Sequence, residues 1–206
     1  MQTRRIALID YRAGNLTSVK KAFAAIDADL FVPESPGDLR DAAAVVVPGV
    51  GHFAATRALT SEWVDAMRTS VDAGRPLLGI CLGMQWLFEG SEEAPGSAGI
   101  GVLAGHCYRL PNDANGTPVK IPHVGWNALD IRRGDSIVDD VAPGAQVYFT
   151  HSFVAPLTSE TVAVTEHGRP FASVVQRAHV AGVQFHPEKS GDVGLTILRN
   201  FMRWVS

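Results

Sequence analysis

Cysteine is almost missing from this chain, which has only Cys81 and Cys107. Two thiols could pair once, but the rest of the sequence reads as that of a protein from a reducing compartment, and no structural disulfide is expected. Basic runs and basic helical faces are missing too. The net charge is −3, which argues against nucleic acid as a partner. Long apolar runs are absent: nothing approaches the ~18 apolar residues of a membrane span, and Met1 to Arg5 leads into an apolar stretch too short for a signal peptide. A cytoplasmic protein with no membrane contact is expected. No two histidines or cysteines stand at ligand spacing, and no phosphate-cradling glycine loop is present, so neither a metal nor a cofactor is expected.

What remains is the composition of an ordinary folded protein, 46% apolar and 19% charged over 206 residues. That length fits a single domain over 1–206. The first half alternates β-branched runs (Ile6 to Ile9, Ala44 to Val47, Leu77 to Ile80) with segments of helical spacing (Leu16, Val19, Phe23, Ile26, then Trp63, Val64, Met67). This is the pattern of an α/β fold, a mostly parallel central sheet flanked by helices. After Glu93 the strands shorten and read as antiparallel or mixed: Gly105 to Leu110, Ala128 to Ile131, Gln146 to Phe149, Thr161 to Glu166, Ala172 to Gln176 and Val180 to Phe185. A last helix is expected over Leu195 to Trp204, and a hairpin-type loop around Asn115-Gly116. Asp10, Pro48-Gly49 and Cys81 end three of the parallel strands, so their turns should share one cleft.

Cys81 lies between glycines, in Gly79-Ile80-Cys81-Leu82-Gly83, directly after an apolar strand. This spacing predicts a nucleophile elbow, with the side chain thrust out at a strand-to-helix turn and a helix from about Gly83 to Glu89 behind it. A cysteine nucleophile needs a base and a group that orients the base. Among seven histidines only His186 combines a strand-end position with a carboxylate two residues on, Glu188. Pro187 keeps His186 extended, and residues two apart in an extended segment share a face. Oxyanion donors are expected from the Leu82 amide and from the turn Gly49, Val50, Gly51.

With Cys81, His186 and Glu188 in this order, the chain resembles the class I (triad) glutamine amidotransferases. Asp10-Tyr11 with Gly14-Asn15-Leu16, Pro48 to Gly51, Gly79 to Gln85, Gly125-Trp126-Asn127, Tyr148 to Phe153 and Gly182 to Ser190 resemble the glutaminase subunits of imidazole glycerol phosphate synthases. The resemblance implies a flavodoxin-like class I fold and hydrolysis of glutamine to glutamate and ammonia through a Cys81 thioester. It implies Gln85, Thr150, Ser152 and Phe153 as substrate contacts. It also implies a heterodimer with a (β/α)8-barrel cyclase subunit that takes the ammonia to make imidazole glycerol phosphate and an aminoimidazole carboxamide ribotide. Asn15, Trp126 and Lys189 are the interface candidates, Trp126 as a gate. The family usually has glycine after Asp10-Tyr11 and this chain has Arg12, which implies an altered loop or an added contact there. Rival readings are a glutaminase feeding another acceptor, a stand-alone cysteine hydrolase and a non-catalytic interaction module.

Overall fold

The computed structural model describes residues 5–205. The chain opens with strand β1 (Ile6–Leu8), helix α1 (Leu16–Ala24), strands β2 (Leu30–Phe31) and β3 (Ala44–Val47), helix α2 (Ser61–Asp72), strand β4 (Leu77–Ile80) and a short helix α3 (Leu82–Trp86). Then come β5 (Gly90–Ser91), β6 (His106–Arg109), β7 (Asp113–Ala114), β8 (Thr117–Pro118), β9 (His123–Ala128), β10 (Asp130–Ile131) and β11 (Gln146–His151). Strands β12 (Phe153–Val154), β13 (Thr161–Glu166), β14 (Pro170–Arg177) and β15 (Val180–Val183) precede the closing helix α4 (Gly191–Met202).

Eight strands form one sheet in the order β10-β13-β14-β15-β4-β3-β1-β2. The half from β15 to β2 is parallel and the half from β15 to β10 antiparallel. Strands β3, β4 and β15 are buried at every position, as uninterrupted apolar runs must be when helices cover both faces. Alternate residues feed two cores: Leu8, Val46, Leu78 and Ile80 pack with Phe23 of α1 and Phe201 of α4, while Ala7, Val45, Val47 and Leu77 pack with Met67 of α2 and Met84 of α3. The architecture is the α/β one expected, with antiparallel strands in the C-terminal half.

The departures are local. Helix α1 stops at Ala24 because Asp27 turns left-handed, at φ 58°. The elbow helix ends at Trp86, short of Glu89; Leu87 and Phe88 bond back to Met84 and Gln85 in the tighter three-residue pattern. Helix α4 begins at Gly191 and ends at Met202, displaced toward the N-terminus of Leu195 to Trp204; Gly194 lets it lie on Pro187, whose carbonyl would sit 2.0 Å from a Cβ there. The expected strand Ala128 to Ile131 is the end of β9 plus β10, and β9, paired with β11, was not foreseen. Val124, Trp126 and Ala128 do alternate with His123, Gly125 and Asn127, but Gly125 sits inside the run at φ 136° and weakens the strand signal, and the pairing leaves Val124 and Trp126 facing outward. The Asn115-Gly116 hairpin is present, both residues at positive φ between β7 and β8, as a primed turn requires.

Arg12 is left-handed, a conformation that favours glycine, at φ 63°, and its amide donates to Asp10 Oδ1 over 2.8 Å. A left-handed non-glycine residue costs roughly 1 kcal/mol. Arg12→Gly is therefore expected to raise the urea midpoint by an equivalent of about 0.5 to 1 kcal/mol; a lowered midpoint would mean that the arginine side chain makes a compensating contact.

Candidate active site

Cys81 stands at the carboxyl end of β4 with φ 53° and ψ −108°, as the N-cap of α3. A non-glycine residue is held there only by its surroundings. The Cys81 amide donates to Val183 O over 2.7 Å and its carbonyl accepts from the Gln85 amide over 3.1 Å. The flanking glycines are required by contact: a Cβ on Gly83 would lie 1.8 Å from Val47 O, and one on Gly79 would lie 2.6 Å from Gly83 O. Gly83→Ala is expected to cost about 3 kcal/mol or more, as overpacking against backbone does, and thermal melting measures it. A near-native melt would show that the elbow can move away from β3.

Strands β4 and β15 are parallel neighbours with Ile80 opposite Val183, so the segment after β15 runs beside the elbow. The strand stops at Val183 rather than Phe185, and His186 continues extended with its amide bonded to Tyr148 O over 2.9 Å. His186 Nδ1 pairs with Glu188 Oε1 at 2.8 Å, with side chains 3% and 2% exposed. The geometry of this pair differs from expectation: Pro187 opens a 3₁₀ turn over Pro187–Lys189, so Glu188 folds back under the ring instead of reaching along a strand. Ser190 pins the turn, donating to His186 O over 2.6 Å and accepting from the Tyr148 amide over 3.0 Å.

Burial pulls the His186 pKa down, but the Cys81 sulfur and the Glu188 carboxylate more than reverse this and hold it up at about 10. An imidazolium is thus favoured beside the sulfur at neutral pH. Cys81→Ala removes one of the two raising groups while burial stays, so the His186 pKa is expected to fall; titration of its ring-proton NMR signal reads this, and an unchanged midpoint would place the sulfur out of range. His151 also lines the cleft, but burial and the neighbouring His123 hold it well below its ordinary value. Its Nε2 lies 3.2 Å from His123 Nδ1, with no carboxylate as partner. Of the two histidines, only His186 has a carboxylate partner and a raised pKa.

The cleft of about 220 Å³ before the sulfur is lined by Cys81, Leu82 and Gln85 of the elbow, Gly51 of the turn after β3, and Thr150, Ser152 and Phe153 where β11 passes into β12. All the expected substrate contacts therefore meet there. Gln85 Nε2 already donates to Phe153 O over 2.8 Å. Of the three strand-end turns, the first contributes differently from expectation: Asp10 turns back on Arg12, and Tyr11 fills the space beside Gly49, where a Cβ would lie 2.0 Å from its hydroxyl. Burial and then the Cys81 charge raise the phenol's pKa. Two of the expected oxyanion amides are engaged. The Leu82 amide donates to Gly49 O over 3.3 Å and the Val50 amide to Ala13 O over 2.6 Å.

Two cleft residues escaped the sequence reading. Glu93 lines the pocket and accepts from the Phe53 amide over 2.7 Å; in Ser91-Glu92-Glu93 nothing separates it from an ordinary surface acid. Gln184 is fully buried beside the sulfur, and its signal was a polar residue in an otherwise apolar strand run. The interface candidates gather at one face: Trp126 is 57% exposed and meets Tyr148 edge-on at 6.1 Å, Lys189 Nζ lies 5.6 Å above the same ring, and Asn15 caps α1 and lines a small void with His186 and Glu188. Among the described residues no cluster of three or more histidine, cysteine or acidic side chains could hold a metal, and no helix is long and apolar enough to cross a membrane.

Solved structures share this fold at low identity. One described as a glutamine amidotransferase has a TM-score of 0.73 at 20% identity, covering 97% of this chain and 98% of that one. The PurLQS structure from Thermotoga maritima has a TM-score of 0.75 at 16%, covering 99% and 100%. Sequence relatives are much nearer. The imidazole glycerol phosphate synthase subunit HisH of Lactiplantibacillus plantarum is 45% identical over 97% of this chain and 96% of its own length, and that of Chloroflexus aurantiacus 43% over 97% and 95%. The profile of the glutamine amidotransferase class-I family matches residues 7–204. A buried Cys-His-Glu set at the ends of β4 and β15 and near full-length likeness to HisH lead to one conclusion: this chain belongs to the class-I glutamine amidotransferase family, among its HisH members.

Proposed function

We propose that this chain is the glutaminase subunit of an imidazole glycerol phosphate synthase in histidine biosynthesis, working in the cytoplasm and passing ammonia to a (β/α)8-barrel cyclase subunit. The observation that carries the chemistry is Cys81 and His186 side by side at the ends of β4 and β15, with Glu188 on the far ring nitrogen. The Cys81 thiolate attacks the side-chain amide carbon of glutamine, and His186 gives its proton to the departing nitrogen, leaving a glutamyl thioester and ammonia. Water then attacks the thioester, His186 takes the proton, and glutamate leaves as the thiolate returns. Glu188 fixes the ring's tautomer and orientation throughout.

The cleft supports a substrate pose. Glu93 is its acid and suits the α-ammonium group, while backbone groups from Thr150 to Phe153 suit the α-carboxylate and Gln85 flanks the chain between. The outward Trp126, with Lys189 over Tyr148 and Asn15 nearby, forms the surface for the barrel. The experiment is turnover by the chain with purified cyclase subunit and its ribotide substrate, supplied with either glutamine or an ammonium salt. Both should drive synthesis. Activity with ammonium alone would reject the glutaminase role, and glutamine hydrolysis that never feeds this acceptor would point to another pathway.

A further inference from the structure

We propose that Gln184 is a further active-site residue: its side-chain amide donates a hydrogen bond to the Cys81 sulfur and, through Gln85, ties that sulfur to the opposite wall of the cleft. The proposal rests on Cys81 being the nucleophile. Gln184 is 0% exposed. Its Nε2 lies 3.7 Å from Cys81 Sγ, its Oε1 lies 3.1 Å from Gln85 Nε2, and Gln85 Nε2 lies 2.8 Å from Phe153 O.

The direction of this chain is fixed at its far end. The Phe153 carbonyl can only accept, so Gln85 must turn its nitrogen to it; that nitrogen can only donate, so Gln184 must turn its oxygen toward Gln85. The nitrogen of Gln184 is thereby left facing the sulfur. The other titratable groups around the sulfur are Tyr11 from the loop after β1, His186 with Glu188 behind it, and His151 and Glu93 on the walls of the cleft. The Gln184 amide brings a donor there without bringing a charge.

A carboxamide is costly to bury unless it is bonded, and an apolar side chain would fill the same volume. The sulfur gives it a use. An N–H donor binds a thiolate more strongly than a thiol, so Gln184 favours the ionised nucleophile and aims it. The thioester sulfur accepts poorly, so the bond weakens on acylation and reforms as the thiolate is expelled in hydrolysis. Part of the gain in thiolate population is lost as lower nucleophilicity. The net benefit falls where the thiol would otherwise be protonated.

The test is the pH profile of Cys81 alkylation by iodoacetamide, read by peptide mass mapping, in the full chain and in Q184M. The midpoint should rise by about one pH unit in Q184M, a roughly tenfold slower alkylation on the acid side. Glutamine kcat in the cyclase complex should fall about tenfold or more. An unchanged alkylation midpoint in folded Q184M overturns the proposal, since a merely structural amide would not move it. Should Q184M not fold, the ¹⁵N-labelled Gln184 side-chain signal of the unaltered chain decides: it should shift with the alkylation midpoint, and its indifference to that titration overturns the proposal. Failure of the unaltered chain to hydrolyse glutamine in the complex would instead reject the functional reading, whatever the alkylation shows.

Discussion

Cys81→Ala is expected to lower glutamine-dependent turnover by roughly five orders of magnitude or more, the scale seen when a covalent nucleophile is removed, while the same complex keeps its synthesis from ammonium salts. The separation follows from the geometry. Cys81 is the thiol that lies beside the His186–Glu188 pair; Cys107 is buried in β6, with its sulfur 3.7 Å from Gln85 O. Alanine adds no atom to the crowded elbow, so the variant should fold, and circular dichroism melting checks this. Loss of both activities together would give Cys81 a structural role and defeat the mechanism.

The second large effect concerns the chain without its partner. Each missing oxyanion donor costs roughly 10²- to 10³-fold in kcat, and here the Leu82 and Val50 amides are turned to other acceptors. The two obstructions belong to one peptide unit: the Gly49 carbonyl blocks the Leu82 amide, and the amide of the same unit, that of Val50, points at Ala13. Rotating this single peptide would release Leu82 and bring the Val50 amide toward the cleft. The unit turns about ψ of Gly49 and φ of Val50, and glycine at the first of these lowers the resistance to that rotation. Glutamine hydrolysis by the isolated chain is therefore expected to be slower than in the complex holding the cyclase ligand by at least the cost of one donor, roughly 10²- to 10³-fold. A full rate in isolation would mean that the present arrangement is already competent.

Much of this site was legible because its residues are fixed by short-range chemistry. Gly79 and Gly83 mark the elbow because backbone lies where their side chains would be, and Pro187 marks the end of an extended run. The antiparallel half was read less well. In β9, Gly125 amid the alternating Val124, Trp126 and Ala128 weakens the strand signal, and pairing with β11 leaves Val124 and Trp126 exposed, so no core-facing side marks it as a strand. Glu93 and Gln184 were missed because their roles depend on distance in space: one reaches the cleft from a polar loop, the other acquires its partner from Gln85, far away in the chain. The engagement of the oxyanion amides could not be read at all, since it depends on the orientation of one peptide plane.

The place of β15 between β14 and β4 also governs when the chain becomes chemically active. A nascent chain that has finished β4 already carries the thiol, but the strand that seats the imidazole beside it is made about a hundred residues later. Contacts of such long sequence separation close late and slowly. During synthesis and early folding the sulfur is therefore unaccompanied by its base, and reactivity arrives with completion of the sheet, so that a truncated or half-folded chain carries the nucleophile without the means to use it.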